Sequence, residues 1–208
     1  MDDQAIRSGI RVYVDLMLLE ERPMVMAAAE DRATELFEHF DVPEGFKAEL
    51  LRGDIVMTAG PDWVHNQIVQ SIADQIPNDR WHRVQTQDIA IPGEASEPQP
   101  DLVVLERGAF VGPGRLVPAP AVTLLLEVVS RNSKRRDYQD KRSIYAAGKV
   151  PAYLIVDPLE GTCMLLTEPT GAGEETDYKV QRTSKFGEPL PIDVLGLELD
   201  TNEFQTLS

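Results

Sequence analysis

Basic side chains are scarce in this sequence. Lysine and arginine number 20 against 35 aspartates and glutamates, a formal net charge of −15. So acidic a chain is repelled by phosphate backbones at long range. Any approach to nucleic acid must therefore use a local basic patch, a bound cation or a partner protein. Cysteine occurs once, at Cys163, so no intrachain disulfide can form and a reducing compartment is compatible. Cys163 also sits in a plain strand pattern, which argues against thiol nucleophile chemistry. Apolar runs such as that from Ala121 to Val129 are far too short to span a bilayer. The first residues, with Asp2, Asp3, Asp15 and Glu20, lack the basic start and apolar stretch of a secretory signal. The expectation is a cytoplasmic protein without membrane partners. Three histidines, His39, His65 and His82, have no zinc-motif spacing. A GxSxG elbow, a phosphate-cradling glycine loop and a dinucleotide fingerprint are all missing.

The 208 residues suit one domain, or one domain with a terminal extension, and the 42% apolar share is enough for a core. Residues 1–42 read as a charged helical extension with apolar positions at Ile10, Tyr13, Val14, Met17 and Leu18. A docking helix, a dimer arm and an upstream extension all fit that pattern. The main domain is expected at 43–208, after the break at Pro43-Glu44-Gly45.

Phe46 to Thr58 reads as a β-hairpin turning at Arg52-Gly53. Asp62 can cap a helix running to about Ile76, with Val64, Ile68, Ile72 and Ile76 spaced by four. Strands are expected at 84–91, 101–105 and 122–129, the last so apolar that both its faces should be buried. A helix from Asn132 or Ser133 to Ala147 follows, with Gly148 and Pro151 as stop signals. Ala152 to Val156 is a second buried strand, reached by a helical crossover and so parallel to its predecessor. Weaker strands are expected at 162–167 and 178–182. The sum is an α/β fold, a mixed sheet covered by helices.

Glu127 is out of place in the apolar run from Val122 to Val129. A carboxylate buried there must be neutral, paired or bound to a metal. If the strands at 101–105 and 122–129 pair antiparallel about Gly114, Asp101 falls opposite Glu127. Opposed Cβ atoms lie about 4.5–5.5 Å apart, close enough for two carboxylates to hold one ion. Oxygen-only ligands favour Mg²⁺ or Mn²⁺ over zinc. The alternative is that Glu127 pairs with Arg131 or Lys141, and that Asp101 only caps the loop after Pro100.

Lys141 shares a helix face with Tyr138, Ile144, Tyr145 and Gly148, so its ammonium is directed inward. Such a cation beside a metal is what phosphodiester hydrolysis needs, because negative charge grows on the phosphoryl oxygens. The alternative is a snorkelling surface lysine. Glu49, in the hairpin, is a third carboxylate that faces either solvent or the site. His65 reads as a packing or phosphate-contact residue. The segment from Arg131 to Arg142, with six basic residues against two acidic, is the natural phosphate-facing edge, or else a solvated helical turn.

Several of these segments together resemble one family. They are Ala48-Glu49-Leu50-Leu51-Arg52-Gly53, the Pro61-Asp62 to His65 helix start, Pro100-Asp101-Leu102-Val103-Val104 and Leu126-Glu127-Val128-Val129-Ser130. The series continues through Arg136-Asp137, Lys141, Tyr145-Ala146 and Gly148-Lys149-Val150-Pro151-Ala152-Tyr153-Leu154-Ile155-Val156-Asp157. The chain is similar, from Phe46 onward, to the Uma2 family, former DUF820, of the PD-(D/E)XK nuclease superfamily. The resemblance implies a restriction-endonuclease-like sheet, Mg²⁺ or Mn²⁺ held by Asp101 and Glu127, and Glu49 as an accessory acid. The superfamily lysine two residues after the second acid is Val129 here, and Lys141 is the matching position.

Two functions are weighed from these observations. One is a metal-dependent endonuclease acting on DNA, reached through the local basic patch, with Glu49, Asp101, Glu127 and Lys141 as catalytic residues. The other is a nuclease-fold binding or regulatory protein without catalysis, suggested by the charge and the displaced lysine. A self-associating acidic module, such as a homodimer, is a third thought suggested by the amino-terminal segment.

Overall fold

The computed structural model describes residues 11–12, 32–91 and 93–207. Most of the helix expected before residue 39 lies outside them. Where that segment is described, 32–38 is helical as expected (α1), whereas Arg11–Val12 forms a short strand, β1, and departs from expectation. The hairpin is as expected, with β2 at Phe46–Leu51 and β3 at Asp54–Ala59. Arg52 and Gly53 both take positive φ, 50° and 81°, as a tight two-residue turn between twisted strands requires. β1 adds to the hairpin in the order β1-β3-β2. Ala33 and Phe37 of α1 pack on its Ala48, Leu50 and Ile55.

Helix α2 spans Trp63–Gln75, and the side chain of Asp62 accepts a hydrogen bond from the His65 amide at 2.9 Å. The single strand expected at 84–91 is two short ones in different sheets, β4 at Trp81–Val84 and β5 at Asp88–Ala90. The break falls at Gln85-Thr86-Gln87, where Thr86 takes a left-handed φ of 54°, outside the range of regular extended backbone. β6 is Leu102–Glu106, β7 Leu116–Pro118, β8 Leu124–Val128 and β9 Ala152–Asp157. β10, Thr162–Thr170, and β11, Asp177–Lys185, are nine-residue strands, longer than their patterns suggested. The short β12, Leu190–Ile192, and β13, Leu197–Leu199, close the chain.

The main sheet runs β11-β10-β9-β8-β6-β4, with β8 and β9 parallel and the other neighbours antiparallel. Its central strands are buried on both faces. Leu102, Val104, Leu124 and Leu126 pack against Ile68, Ile72 and Ile76 of α2. Val103, Leu125, Tyr153 and Ile155 turn the other way, against Ile144 and Tyr145. Each such fully buried aliphatic side chain contributes on the order of 2 kcal/mol.

The crossover from β8 to β9 is not one α-helix. Residues 134–135 begin it in α-helical form, Arg136–Asp140 is π-helical, and Lys141–Ala147 (α3) is α-helical. A π turn inserts one residue into the helical ladder and so resets which side chains face the sheet. The stop at Gly148 also differs from the usual glycine cap. Gly148 keeps a helical φ of −67°, and Lys149 takes the left-handed one, 58°. Glycine is required at 148 by close approach instead: a Cβ there would lie 2.9 Å from the Cβ of Ala119 and 3.1 Å from Cδ1 of Ile91.

Two outcomes follow from this packing. Gly148→Ala overpacks the contact with Ala119 and is expected to lower stability by about 1–3 kcal/mol in chemical denaturation. The thiol of Cys163 is fully buried, and burial pushes it up to about 12. A thiol reagent at pH 8 should therefore label the native protein only as fast as it opens, and label it promptly in denaturant.

Candidate active site

At one end of the main sheet, four segments converge on a cluster of acids and ammonium groups. The register of β6 on β8 pairs Leu102 with Leu126 and Val103 with Leu125, which sets Asp101 opposite Glu127. That is the pairing about residue 114 that the sequence allowed. The hairpin joins through β2: Leu50 and Glu97 exchange backbone hydrogen bonds, 3.3 Å and 2.7 Å, across an isolated bridge. This ties Glu49 to the loop that leads into Asp101, and the Gln99 amide donates to Glu49 Oε1 at 2.8 Å.

Lys141 lies at the centre, almost wholly buried. Its Nζ is 2.7 Å from Glu127 Oε1 and 2.7 Å from Glu49 Oε1. Glu127 Oε1 also accepts from the hydroxyl of Tyr145 at 2.6 Å. Three of the four expected site residues thus form one buried hydrogen-bonded unit, and Glu49 faces the site rather than solvent. Asp101 stands beside it with other partners. Its Oδ2 accepts from the Val128 amide at 2.8 Å and lies 2.9 Å from His65 Nε2, while its Oδ1 is 3.5 Å from Lys47 Nζ. Lys47 also donates to the Gln99 carbonyl at 2.9 Å.

Burial opposes ionisation of Glu49, but Lys141 and Lys47 outweigh it and hold its carboxyl down to about 2. Asp101 is likewise held well below the usual carboxylate range, by Lys47 and His65 against burial. Glu127 goes the other way: burial, reinforced by the charge of Asp101, pushes it up to about 8 despite Lys141. One ammonium cannot fully neutralise two buried carboxylates, so the acid that shares it less favourably keeps its proton. His65 is raised, because burial is overcome by its hydrogen bond to Asp101.

The structure adds Lys47, Asp137 and Tyr145 to this cluster, and gives His65 a specific partner. Asp137, in the π turn, is buried, takes a short hydrogen bond from the Ser133 hydroxyl, and is pushed up to about 6 by burial. Each carried a faint sequence signal. Lys47 is two residues from Glu49 in a strand, hence on its face. Asp137 and Tyr145 are four residues either side of Lys141.

The basic segment from Arg131 to Arg142 is largely consumed within the chain. Lys134 pairs with Glu160 at 2.6 Å, and Arg142 with Asp177 at 2.5 Å. Arg136 lies 3.9 Å from Asp137. A shallow hollow beside the π turn, lined by Tyr138, Gln139, Arg142 and Asp177 among others, includes none of the clustered carboxylates.

Lys141→Met leaves two acids buried without their cation, and is expected to cost about 3–5 kcal/mol of stability. Tyr145→Phe removes one neutral donor and should cost about 1–3 kcal/mol. The pH dependence follows from the opposed shifts. Glu49 contributes stability above its unfolded value near 4.5, and loses it as pH falls towards about 2. Glu127 contributes fully below 4.5, and loses its contribution as pH rises through about 8. Glu127→Gln should therefore gain on the wild type between pH 6 and pH 9, as read by urea denaturation at the two values.

Comparisons with known proteins accord with this geometry. A solved structure, titled as a putative nuclease belonging to DUF820 from Anabaena variabilis ATCC 29413, is similar over 82% of this chain and 96% of that one. The TM-score is 0.64 at 12% identity, a likeness of fold alone. No curated protein matches. Among the described residues no helix is long and apolar enough to cross a membrane. Residues 34–202 match the family described as Uma2, putative restriction endonuclease, which takes in most of α1 and the whole acid cluster. The chain belongs to the Uma2 family.

Proposed function

We propose that this protein is a metal-dependent endonuclease that hydrolyses phosphodiester bonds in DNA, with Asp101 and Glu127 as ligands of Mg²⁺ or Mn²⁺. The observation that carries the reading is the placement of those two acids opposite each other in register, beside a buried ammonium. Among the described residues no three His, Cys, Asp or Glu side chains form a ready-made cation cage. Mg²⁺ needs no such cage: it binds through one or two carboxylates and completes its shell with water and substrate phosphate. Oε2 of Glu49, buried without a hydrogen-bond partner, is a further oxygen suited to a hard cation.

When bound, such an ion polarises a phosphoryl oxygen and lowers the pKa of a water. The chain's own residues do the positioning. His65 and the Val128 amide fix the carboxylate of Asp101, and Lys141 and Tyr145 fix that of Glu127. Glu49 holds Lys141 from the other side. In the overall reaction the hydroxyl of water bonds to phosphorus, the phosphorus bond to the leaving alcohol oxygen breaks, and the remaining proton passes to that oxygen. With a net charge of −15, binding of DNA depends on these short-range contacts, each of which weakens as salt rises.

A second reading, a nuclease fold that binds without cutting, is favoured by one observation: Lys141 is already paired with two carboxylates and almost wholly buried. Cleavage of plasmid DNA decides between them. The wild type is expected to cut in Mg²⁺ or Mn²⁺ and to stop in EDTA. Asp101→Asn and Glu127→Gln should each lower the rate by about 100-fold or more. DNA binding without any cutting in either metal establishes the second reading instead.

A further inference from the structure

We propose that Lys47, from the hairpin, is the cation that engages the substrate's phosphate, and that Lys141 is a permanent internal counter-ion that never meets it. The idea rests on the phosphodiester reading above and names the group that contacts the ligand. The two lysines differ in accessibility and in commitment. The side chain of Lys141 is 1% exposed, and its Nζ makes two 2.7 Å contacts to carboxylates. A phosphate could reach its remaining donor only by opening the packed shell that Glu127 and Glu49 close around it. A quarter of the Lys47 side chain is exposed, and its one close contact is with a neutral carbonyl, that of Gln99. Its approach to Asp101, 3.5 Å, is too long to bind a proton tightly. Of its three ammonium protons one is held by the carbonyl and one only weakly by Asp101, so donor capacity remains for a ligand.

Exposure across the cluster also gives a direction of entry. It falls from Lys47 through His65 and Asp101, both near 12%, to Glu127 and finally to Lys141 and Glu49. Solvent, and with it an anionic strand, meets the cluster from the Lys47 side. Lys47 sits on the face of β2 that carries Glu49, so it is anchored by the same hairpin that fixes the accessory acid. The negative charges of Glu49 and Asp101 keep it protonated against its partial burial. No lysine competes from the position two residues after Glu127, because Val129 is buried in the core there. The ligand class that suits a single part-exposed ammonium at the rim is a phosphate diester, whose non-bridging oxygens accept from it as from a point charge.

The test compares Lys47→Met, Lys47→Arg and Lys141→Met in the full chain, each first checked for folding by chemical denaturation. A labelled DNA duplex is titrated in EDTA over a series of KCl concentrations, and cleavage is then measured in Mn²⁺. Lys47→Met should bind about tenfold more weakly at low salt and lose about one unit from the slope of log affinity against log salt. Lys47→Arg should restore the slope. Cleavage by Lys47→Met should fall by about 100-fold in protein that denaturation shows to be folded, although loss of a counter-ion of Asp101 lowers its stability. An unchanged slope and rate in Lys47→Met overturns the assignment, as does a folded Lys141→Met protein that loses the slope. If the wild type cuts nothing, the endonuclease reading fails, yet the salt slope of the Lys47 variants still decides whether this lysine meets phosphate.

Discussion

The Lys141 ammonium, sealed between Glu127 and Glu49, is the interaction on which the site is built. It joins three elements that are remote in sequence: the hairpin, the central strand β8 and the crossover helix α3. Two carboxylates at such depth could not both remain ionised without a cation, and a lysine at such depth could not remain charged without an acid. Each group makes the others tolerable. A buried ionic unit of this sort contributes little net stability compared with apolar packing, but it specifies geometry strongly, because only one arrangement satisfies all its members. Tyr145 and the π turn belong to that specification: one completes the shell of Glu127, the other sets the helical phase that brings Lys141 over the sheet.

Around this sealed unit the outer groups are organised differently. Asp101, His65 and Lys47 keep some contact with solvent and are joined by fewer, longer bonds. The cluster thus has a rigid interior and an accessible rim, a division suited to binding an ion and an anionic ligand without dismantling the fold. It lies at the carboxyl end of β8, next to the start of the crossover to the parallel strand β9, where an α/β sheet ordinarily leaves room for a site. The strongly basic segment after β8, the more obvious electrostatic feature, spends much of its charge on Glu160, Asp177 and Asp137.

Much of this was legible in advance. Glu127 betrays itself because a carboxylate inside an apolar strand demands a partner. The inward face of Lys141 follows from helical spacing with Ile144 and Tyr145, and the capped helix α2 from Asp62. The split of 84–91 into two strands was not legible, since alternation persists through Thr86 while the backbone reverses its φ there. Lys47 and Asp137 escaped for a different reason. A lysine in a hairpin strand and an aspartate in a charged helical turn are ordinary until their neighbours across the sheet are known.

The sequence alone determined the elements whose causes are local: periodicity, caps, the hairpin turn and the mismatch of a charge with its apolar surroundings. It also allowed, without dictating, a register of β6 on β8 that opposes Asp101 and Glu127. Only the tertiary structure decided that this register is adopted, that Glu49 turns inward, and that Lys141 is locked while Lys47 stays accessible. Those outcomes depend on desolvation and on pairings between residues far apart in the chain. Such energies belong to the assembled site and to no segment of it.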